Sequence, residues 1–465
     1  MDTLQFPFSR VQVTLWNSLA ATGRGHRTHP AVVAGLLGMD TQDPRNPDAM
    51  RIAAEMGVSV VMPGEPEPDG PRIVFQERYG TLTGNYLQIE ADNDDGQRLF
   101  LNGESIGGGN IRVDAMQLDG TALDVSSDDD KDEPTLDCPP IPLTEAEWAR
   151  FQVELPELAE MLQRYGPRTP LADRVSLAGL TAVAQRVGLD PRRFSLCLES
   201  ALTGVPPDLV WERAVGLLRR WRIQVVEGTG RAHRLQFLEG NWSRRLSENP
   251  RRHLLGELPW AAFVAAIGIQ ELNASGGRVT AAPTGGASGT VPACVIRLSE
   301  HLALSETDAT LGLLVSGLVG FVAFGRGYVS GARAGCGGEI GIAAMMAAAS
   351  CAVLLGGDWT ELDTAAALAA LPWMGTECSP TLGLVEYPCS PRNGHAAINA
   401  LFSAVAAFSV SAPYPADHHM DVIFTIGGKL PRYAQEEEQG HHGETIIKNC
   451  NQGCDVCAVY KLKKV

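Results

Sequence analysis

Three cysteines lie in settings that a packing thiol does not require. Cys336 stands in Gly331-Ala-Arg-Ala-Gly-Cys-Gly-Gly-Glu-Ile340, a glycine-rich loop that opens into an alanine-rich helix running to Leu355. Cys378 follows a loop in Gly375-Thr-Glu-Cys-Ser-Pro380. Cys389 lies in Tyr387-Pro-Cys-Ser-Pro-Arg-Asn393, where Ser390 and Pro391 read as the N-cap and first position of another helix. A helix start lowers a thiol's pKa, and its free amides can donate to sulfide or carboxylate. Zinc is one candidate, although structural zinc usually draws its ligands in close pairs and these three are far apart. An iron-sulfur cluster on three widely spaced thiolates would leave one iron open. Such an iron is a Lewis acid that turns a bound hydroxyl into a better leaving group, and the chemistry that follows is dehydration. The third alternative is that the thiols are buried small hydrophobes.

The elements that must position these residues fall into two parts. The first part, 1–123, has a short helical opening and then strand-like runs at Val58 to Met62, Arg72 to Gln76, Tyr86 to Ala91, Arg98 to Leu101 and Asn110 to Val113. Asn93-Asp-Asp-Gly96 reads as a hairpin loop, so this part is a small α+β domain. Residues 124–141 form an acidic and proline-rich linker, whose aspartates lack the glycine and terminal glutamate spacing of a calcium loop. From 142 to 465 the apolar period turns helical, at Thr144 to Tyr165, Leu171 to Val187, Pro206 to Arg222 and Trp260 to Asn273. Alanine- and glycine-rich helices follow through Phe408, so an all-α domain is expected. Its small residues let helix backbones approach closely around a buried site.

Length and composition agree with this division. A chain of 465 residues suggests about three units of about 150 residues, or one or two larger ones. With 45% apolar and 20% charged residues it is a folded soluble protein. The net charge of −16 repels phosphate backbones and anionic lipid, which argues against nucleic-acid and membrane-surface roles. Leu311 to Phe324 and Ile340 to Leu355 are short of a clean span and read as buried core helices. The first ten residues have no secretory pattern, so a cytoplasmic location and reduced thiols are expected. Cys138, Cys197, Cys294 and Cys351 read as packing residues.

Three segments carry a family resemblance. They are Asn273-Ala-Ser-Gly-Gly-Arg-Val-Thr-Ala-Ala-Pro-Thr-Gly-Gly-Ala-Ser-Gly-Thr-Val-Pro292, the Gly335-Cys-Gly-Gly-Glu-Ile-Gly341 loop, and Cys378 through Asn393. Together they resemble the bacterial iron-sulfur-dependent L-serine dehydratases, as does Ser105-Ile-Gly-Gly-Gly-Asn-Ile111 in the first part. The match is good over about 256–430 and looser over 23–113. The resemblance implies a β-type domain followed by an α-type domain, a homodimer, and a small amino acid as partner. It also implies that Cys336, Cys378 and Cys389 hold a [4Fe-4S] cluster whose fourth iron meets the substrate.

The resemblance further implies roles for residues around the cluster. The Ala282 to Gly289 stretch would grip the substrate carboxylate through Thr284, Gly285, Gly286, Ser288 and Gly289, in the manner of a backbone nest. Arg392 and Asn393 join this substrate set. His26, in Gly23-Arg-Gly-His-Arg-Thr28, falls at a Gly-His motif of the family and becomes the general base, its imidazole being suited to proton abstraction near neutral pH. From its own position just inside the helix after Cys336, Glu339 is a second catalytic candidate, for the substrate ammonium, the alternative being that it merely favours the helix dipole. The implied reaction is β-elimination of water from L-serine to aminoacrylate, which becomes an imine and hydrolyses to pyruvate and ammonia without a PLP lysine.

The chain also departs from the family. No Ser-Ser-Ser-His-Thr segment precedes His26, which leaves cysteine or a modified serine open as the substrate, or a cluster or zinc protein without catalysis. The usual Gly-Gly-Leu-Ala ending is replaced by a segment carrying Cys450, Cys454 and Cys457. One of these is a candidate reversible fourth cluster ligand. All three with His441 or His442 are candidates for a small zinc site. Their spacing also matches a radical-SAM motif, which needs a barrel after it that the eight remaining residues cannot build.

Overall fold

In the computed structural model the first described element is a strand, not the helix expected there. Residues 8–431 are described, apart from 17–18, 21–22, 24–26, 40–42, 44, 79–84, 108–109, 123–136, 164–173, 231, 234, 236–237, 239–240 and 382–383. The acidic run therefore lies outside the described residues. Strand β1 (Arg10–Trp16) alternates polar residues with Val11, Val13 and Leu15, all fully buried, and a period of two cannot be met by a helix.

The remaining strands are β2 (Ser59–Val61), β3 (Arg72–Arg78), β4 (Asn85–Asp92), β5 (Arg98–Gly107), β6 (Asn110–Leu118) and β7 (Thr121–Ala122). They form one seven-stranded sheet in the order β2-β3-β1-β4-β5-β6-β7. β1 runs parallel to β3 and antiparallel to β4. Helices α1 (Thr28–Leu36) and α2 (Ala49–Glu55) supply Val33, Ala34, Ala49 and Ala53 to the core that contains Val13 and Phe75. The hairpin expected at Asn93 to Gly96 joins β4 to β5. Asn93 Oδ1 accepts from the amides of Asp95 and Gln97, and Gly96 adopts φ 80°.

The second part is mostly helical. Its helices are α3 (Glu145–Gln152), α4 (Leu155–Gln163), α5 (Leu177–Val187), α6 (Pro191–Thr203), α7 (Pro207–Gly230), α8 (Trp242–Ser247), α9 (Glu257–Ala274) and α10 (Thr290–His301). They continue as α11 (Glu306–Arg326), α12 (Gly331–Cys336), α13 (Ile342–Leu354), α14 (Trp359–Ala370), α15 (Cys389–Ala406) and α16 (Ala416–Gly427). The run expected from Thr144 to Tyr165 is two helices, the first opened by a Thr144–Glu147 capping box.

Contacts divide the chain into two units, Met1–Thr135 with Ala274–Arg278 and Leu382–Leu384, and the remainder. Within the second unit every residue of α13 is buried, and α10, α11, α14 and α15 surround it. Alanine and glycine allow that enclosure. A Cβ on Gly312 would stand 2.9 Å from Leu354, and the Ser350 hydroxyl donates to Gly312 O at 2.7 Å across the α11–α13 contact. Two helical stretches, Glu306–Arg326 and Arg333–Leu354, are long and apolar enough to cross a membrane by composition. Their most apolar windows are 78% and 100% buried inside the protein, as expected of core helices.

Candidate active site

Cys336 ends α12 rather than lying in an open loop. The turn it needs depends on Gly335, at φ 63° and ψ −169°, a left-handed φ that disfavours side chains. A Cβ there would stand 2.6 Å from Thr376 O and 3.5 Å from Cys378 N, so this glycine is what lets the two thiol-bearing segments touch. Gly337 N donates to Thr376 O at 3.3 Å, closing the contact. Gly335→Ala is expected to lower stability by about 2 kcal/mol or more, from the positive φ and the collision with a main-chain oxygen. Denaturant unfolding of the metal-free variant checks this.

Residues 337–341 then form a π-turn, the kind of helix irregularity often found at functional sites. It carries Glu339, buried to 6% exposure. The Cys336 sulfur, a Glu339 carboxylate oxygen and the Cys378 sulfur all lie within 4.8 Å of one another, with the two cysteines at 1% and 2% exposure. Glu339 Oε1 accepts the Thr284 hydroxyl at 2.6 Å. A Cβ on Gly286 would come 3.2 Å from both Glu339 oxygens, so the carboxylate rests directly against the glycine turn.

Cys389 is the first residue of α15, and Ser390, expected as the N-cap, lies one residue inside the helix. Its amide already donates to Glu386 O at 2.9 Å, which leaves the cap position to Pro388. The loop between Cys378 and Cys389 is drawn together by Thr381 N donating to Tyr387 O at 2.8 Å. Arg392, one turn into α15, donates through Nη1 to Cys336 Sγ at 3.0 Å and to Glu377 O at 2.8 Å. Burial by itself would lower the pKa of this guanidinium. The sulfurs of Cys336, Cys389 and Cys378 outweigh burial and hold it above its ordinary value, and the partly buried guanidinium touches the Cys336 sulfur directly.

The glycine turn is built from Thr284 in extended conformation, a 3-10 turn at Gly285–Ala287, and α10. Several of its groups are committed within the protein. Ser288 Oγ donates to Gln270 Oε1 at 3.2 Å. Asn393 is fully buried, and its Oδ1 accepts from Gly289 N and Thr290 N, both at 3.1 Å, and from the Thr290 hydroxyl at 2.9 Å. Its Nδ2 donates to Gly286 O at 2.8 Å and Cys389 O at 3.0 Å. Those contacts fill the capacity of an amide side chain, so Asn393 ties the glycine turn to the Cys389 segment.

Gln270 was not anticipated. Fully buried on α9, it also donates to Val385 O at 3.1 Å, and its neighbour Glu271 accepts from Trp242 N at 2.7 Å and from Ser243 N and Oγ. Burial pushes the Glu271 carboxyl above its usual range, against these hydrogen bonds. The legible signal was two adjacent polar residues inside an otherwise apolar helix. Cys294, by contrast, is fully buried packing on α10, as read from the sequence. His26, Cys450, Cys454 and Cys457 lie outside the described residues.

The fold and this site define a protein with a mixed-sheet domain and a helical domain, the second carrying a buried thiolate-and-carboxylate site of metal-binding type. Family models agree with both halves. The serine dehydratase beta chain model matches residues 2–116 and the serine dehydratase alpha chain model matches residues 219–440. The chain belongs to the L-serine dehydratase family. It is 29% identical to L-serine dehydratase 1 of Escherichia coli over 468 residues, covering 95% of this chain and 91% of that one. Identity to the Streptomyces coelicolor L-serine dehydratase is 28% over 411 residues, covering 85% and 80%. A probable L-serine dehydratase alpha chain of Bacillus subtilis is 34% identical over 190 residues, which is 41% of this chain and 63% of that one.

Proposed function

We propose that this protein is an iron-sulfur-dependent, PLP-independent lyase that removes water from L-serine to give, through aminoacrylate, pyruvate and ammonia. The observation that carries this reading is the approach of the buried Cys336 and Cys378 sulfurs and the Glu339 carboxylate to within 4.8 Å of one another, with Arg392 donating to the Cys336 sulfur. Soft thiolates suit iron-sulfur groups, so the donor set fits a [4Fe-4S] cluster on Cys336, Cys378 and Cys389. When bound, such a cluster supplies an open Lewis-acidic iron for the β-hydroxyl. PLP chemistry needs a Schiff-base lysine, and the sequence has none between Lys131 and Lys429, a stretch that holds every described residue of the candidate site.

The chain's own residues do the rest. Arg392 orients the Cys336 sulfur through its hydrogen bond. With Ser288, Gly289 and Asn393 engaged elsewhere, the amides of Gly285 and Gly286 remain to bind the substrate carboxylate, and Glu339, held by Thr284, faces the ammonium. His26 takes the proton from Cα. One of Cys450, Cys454 and Cys457 is a reversible fourth ligand when substrate is absent. The setting is a cytoplasmic homodimer, which accords with the acidic net charge and a small-molecule partner.

Protein purified without oxygen is expected to contain iron and acid-labile sulfide and to release pyruvate from serine, in preference to 2-oxobutyrate from threonine or sulfide from cysteine. Bound zinc with neither iron nor sulfide, or turnover by metal-free protein, would overturn the proposal.

A further inference from the structure

Four buried hydroxyls have no hydrogen-bond partner among the described residues, and three of them flank the thiols. Ser379 directly follows Cys378, Thr381 is two residues further on, and Ser390 directly follows Cys389. All three are fully buried. An unpaired buried hydroxyl is costly, so three within two short segments are not neutral packing. The main chain does not share the problem, since Thr381 N and Ser390 N both have carbonyl partners.

Elsewhere this chain pairs its buried hydroxyls readily. Ser195 donates to Pro191 O at 2.7 Å, Ser316 to Leu313 O at 2.6 Å and Ser350 to Gly312 O at 2.7 Å. Ser390 sits in a helix, where the same backward bond is the ordinary solution, and does not make it. These hydroxyls therefore lack an acceptor of a kind the polypeptide does not supply, next to thiols that bind a sulfur-rich group.

We infer that Ser379, Thr381 and Ser390 donate hydrogen bonds to the inorganic sulfides of the cluster held by Cys336, Cys378 and Cys389. The inference rests on the cluster reading above. Donation withdraws electron density from sulfur and favours the more reduced form of the cluster, raising its reduction potential. A cluster that is harder to oxidise is lost more slowly to dioxygen. The three residues are tuning residues, distinct from those that bind substrate.

The test uses the full chain, loaded anaerobically, as parent, Ser379→Ala, Ser390→Ala, Thr381→Val and Thr381→Ser. Iron and sulfide content, the midpoint potential by spectroelectrochemical titration and the rate of bleaching in air are measured. The alanine and valine variants should load, titrate at a lower potential than the parent and bleach several-fold faster, while Thr381→Ser, which keeps the hydroxyl, should behave as the parent. In metal-free protein the same three substitutions should leave unfolding unchanged or make it harder, because each removes an unpaired group.

Full cluster content with parent-like potential and bleaching in all three variants would overturn the inference alone. So would clear destabilisation of the metal-free variants, which would mean the hydroxyls serve the polypeptide. A parent that holds no iron or sulfide would overturn the cluster reading itself.

Discussion

Cys336→Ala is expected to reduce serine-dependent pyruvate formation to background and to strip the protein of iron and acid-labile sulfide together. The Cys336 sulfur is one corner of the arrangement with Glu339 and Cys378, and it is also the sulfur that Arg392 touches at 3.0 Å. Removing it deletes a proposed ligand and takes from the partly buried Arg392 guanidinium one of the two hydrogen-bond partners of its Nη1, leaving Glu377 O. Two remaining thiolates hold a cluster poorly, so metal content and activity should fall in step. Anaerobic metal analysis beside a pyruvate assay checks this, and undiminished turnover in the variant would show that the reaction takes place elsewhere.

The second large effect is expected at Asn393, a residue whose contribution is connection. Asn393→Ala leaves Gly289 N, Thr290 N, Gly286 O and Cys389 O without their side-chain partner in a fully buried position. Each stranded group costs about 1–3 kcal/mol, and with partial relaxation a loss of about 3 kcal/mol or more is expected in denaturant unfolding of the metal-free protein. Asn393→Asp should not rescue, because it keeps the acceptor but places a charge where two carbonyls need a donor. Parent-like unfolding in both variants would show that the glycine turn and the Cys389 segment hold their places independently.

Much of this site was legible because its local grammar is unusual. Cysteines beside glycine and proline, and a threonine and glycine run ahead of a helix, mark positions where backbone and sulfur both face something. The joining of those positions was not legible. Gly335 needs its left-handed turn because Thr376 O passes 2.6 Å from where a Cβ would be, and that neighbour is set by tertiary packing. That Ser288 pairs with Gln270, and Asn393 with the amides of Gly289 and Thr290, is likewise set by tertiary packing that nothing in the local sequence states. Ser390 read as a cap because serine favours that position, yet the helix hydrogen-bond ladder already includes it.

The fold shows the same division. The two-part character, the hairpin at Asn93 and the helical runs follow from period and turn residues. The opening strand was missed although Val11, Val13 and Leu15 alternate cleanly. Its place between a parallel and an antiparallel neighbour depends on partners from β3 and β4, which no local window contains.

The order of the thiols along the chain bears on how the protein matures. Cys336 precedes the whole of α13 and α14, and only after both comes the segment bearing Cys378 and Cys389. A nascent polypeptide still lacking α15 can present at most two of the three sulfurs, so a cluster held as proposed would find only part of its ligand set. On the proposed assignment, insertion would wait until synthesis has passed Cys389, which would make acquisition of the cluster a report on completed folding.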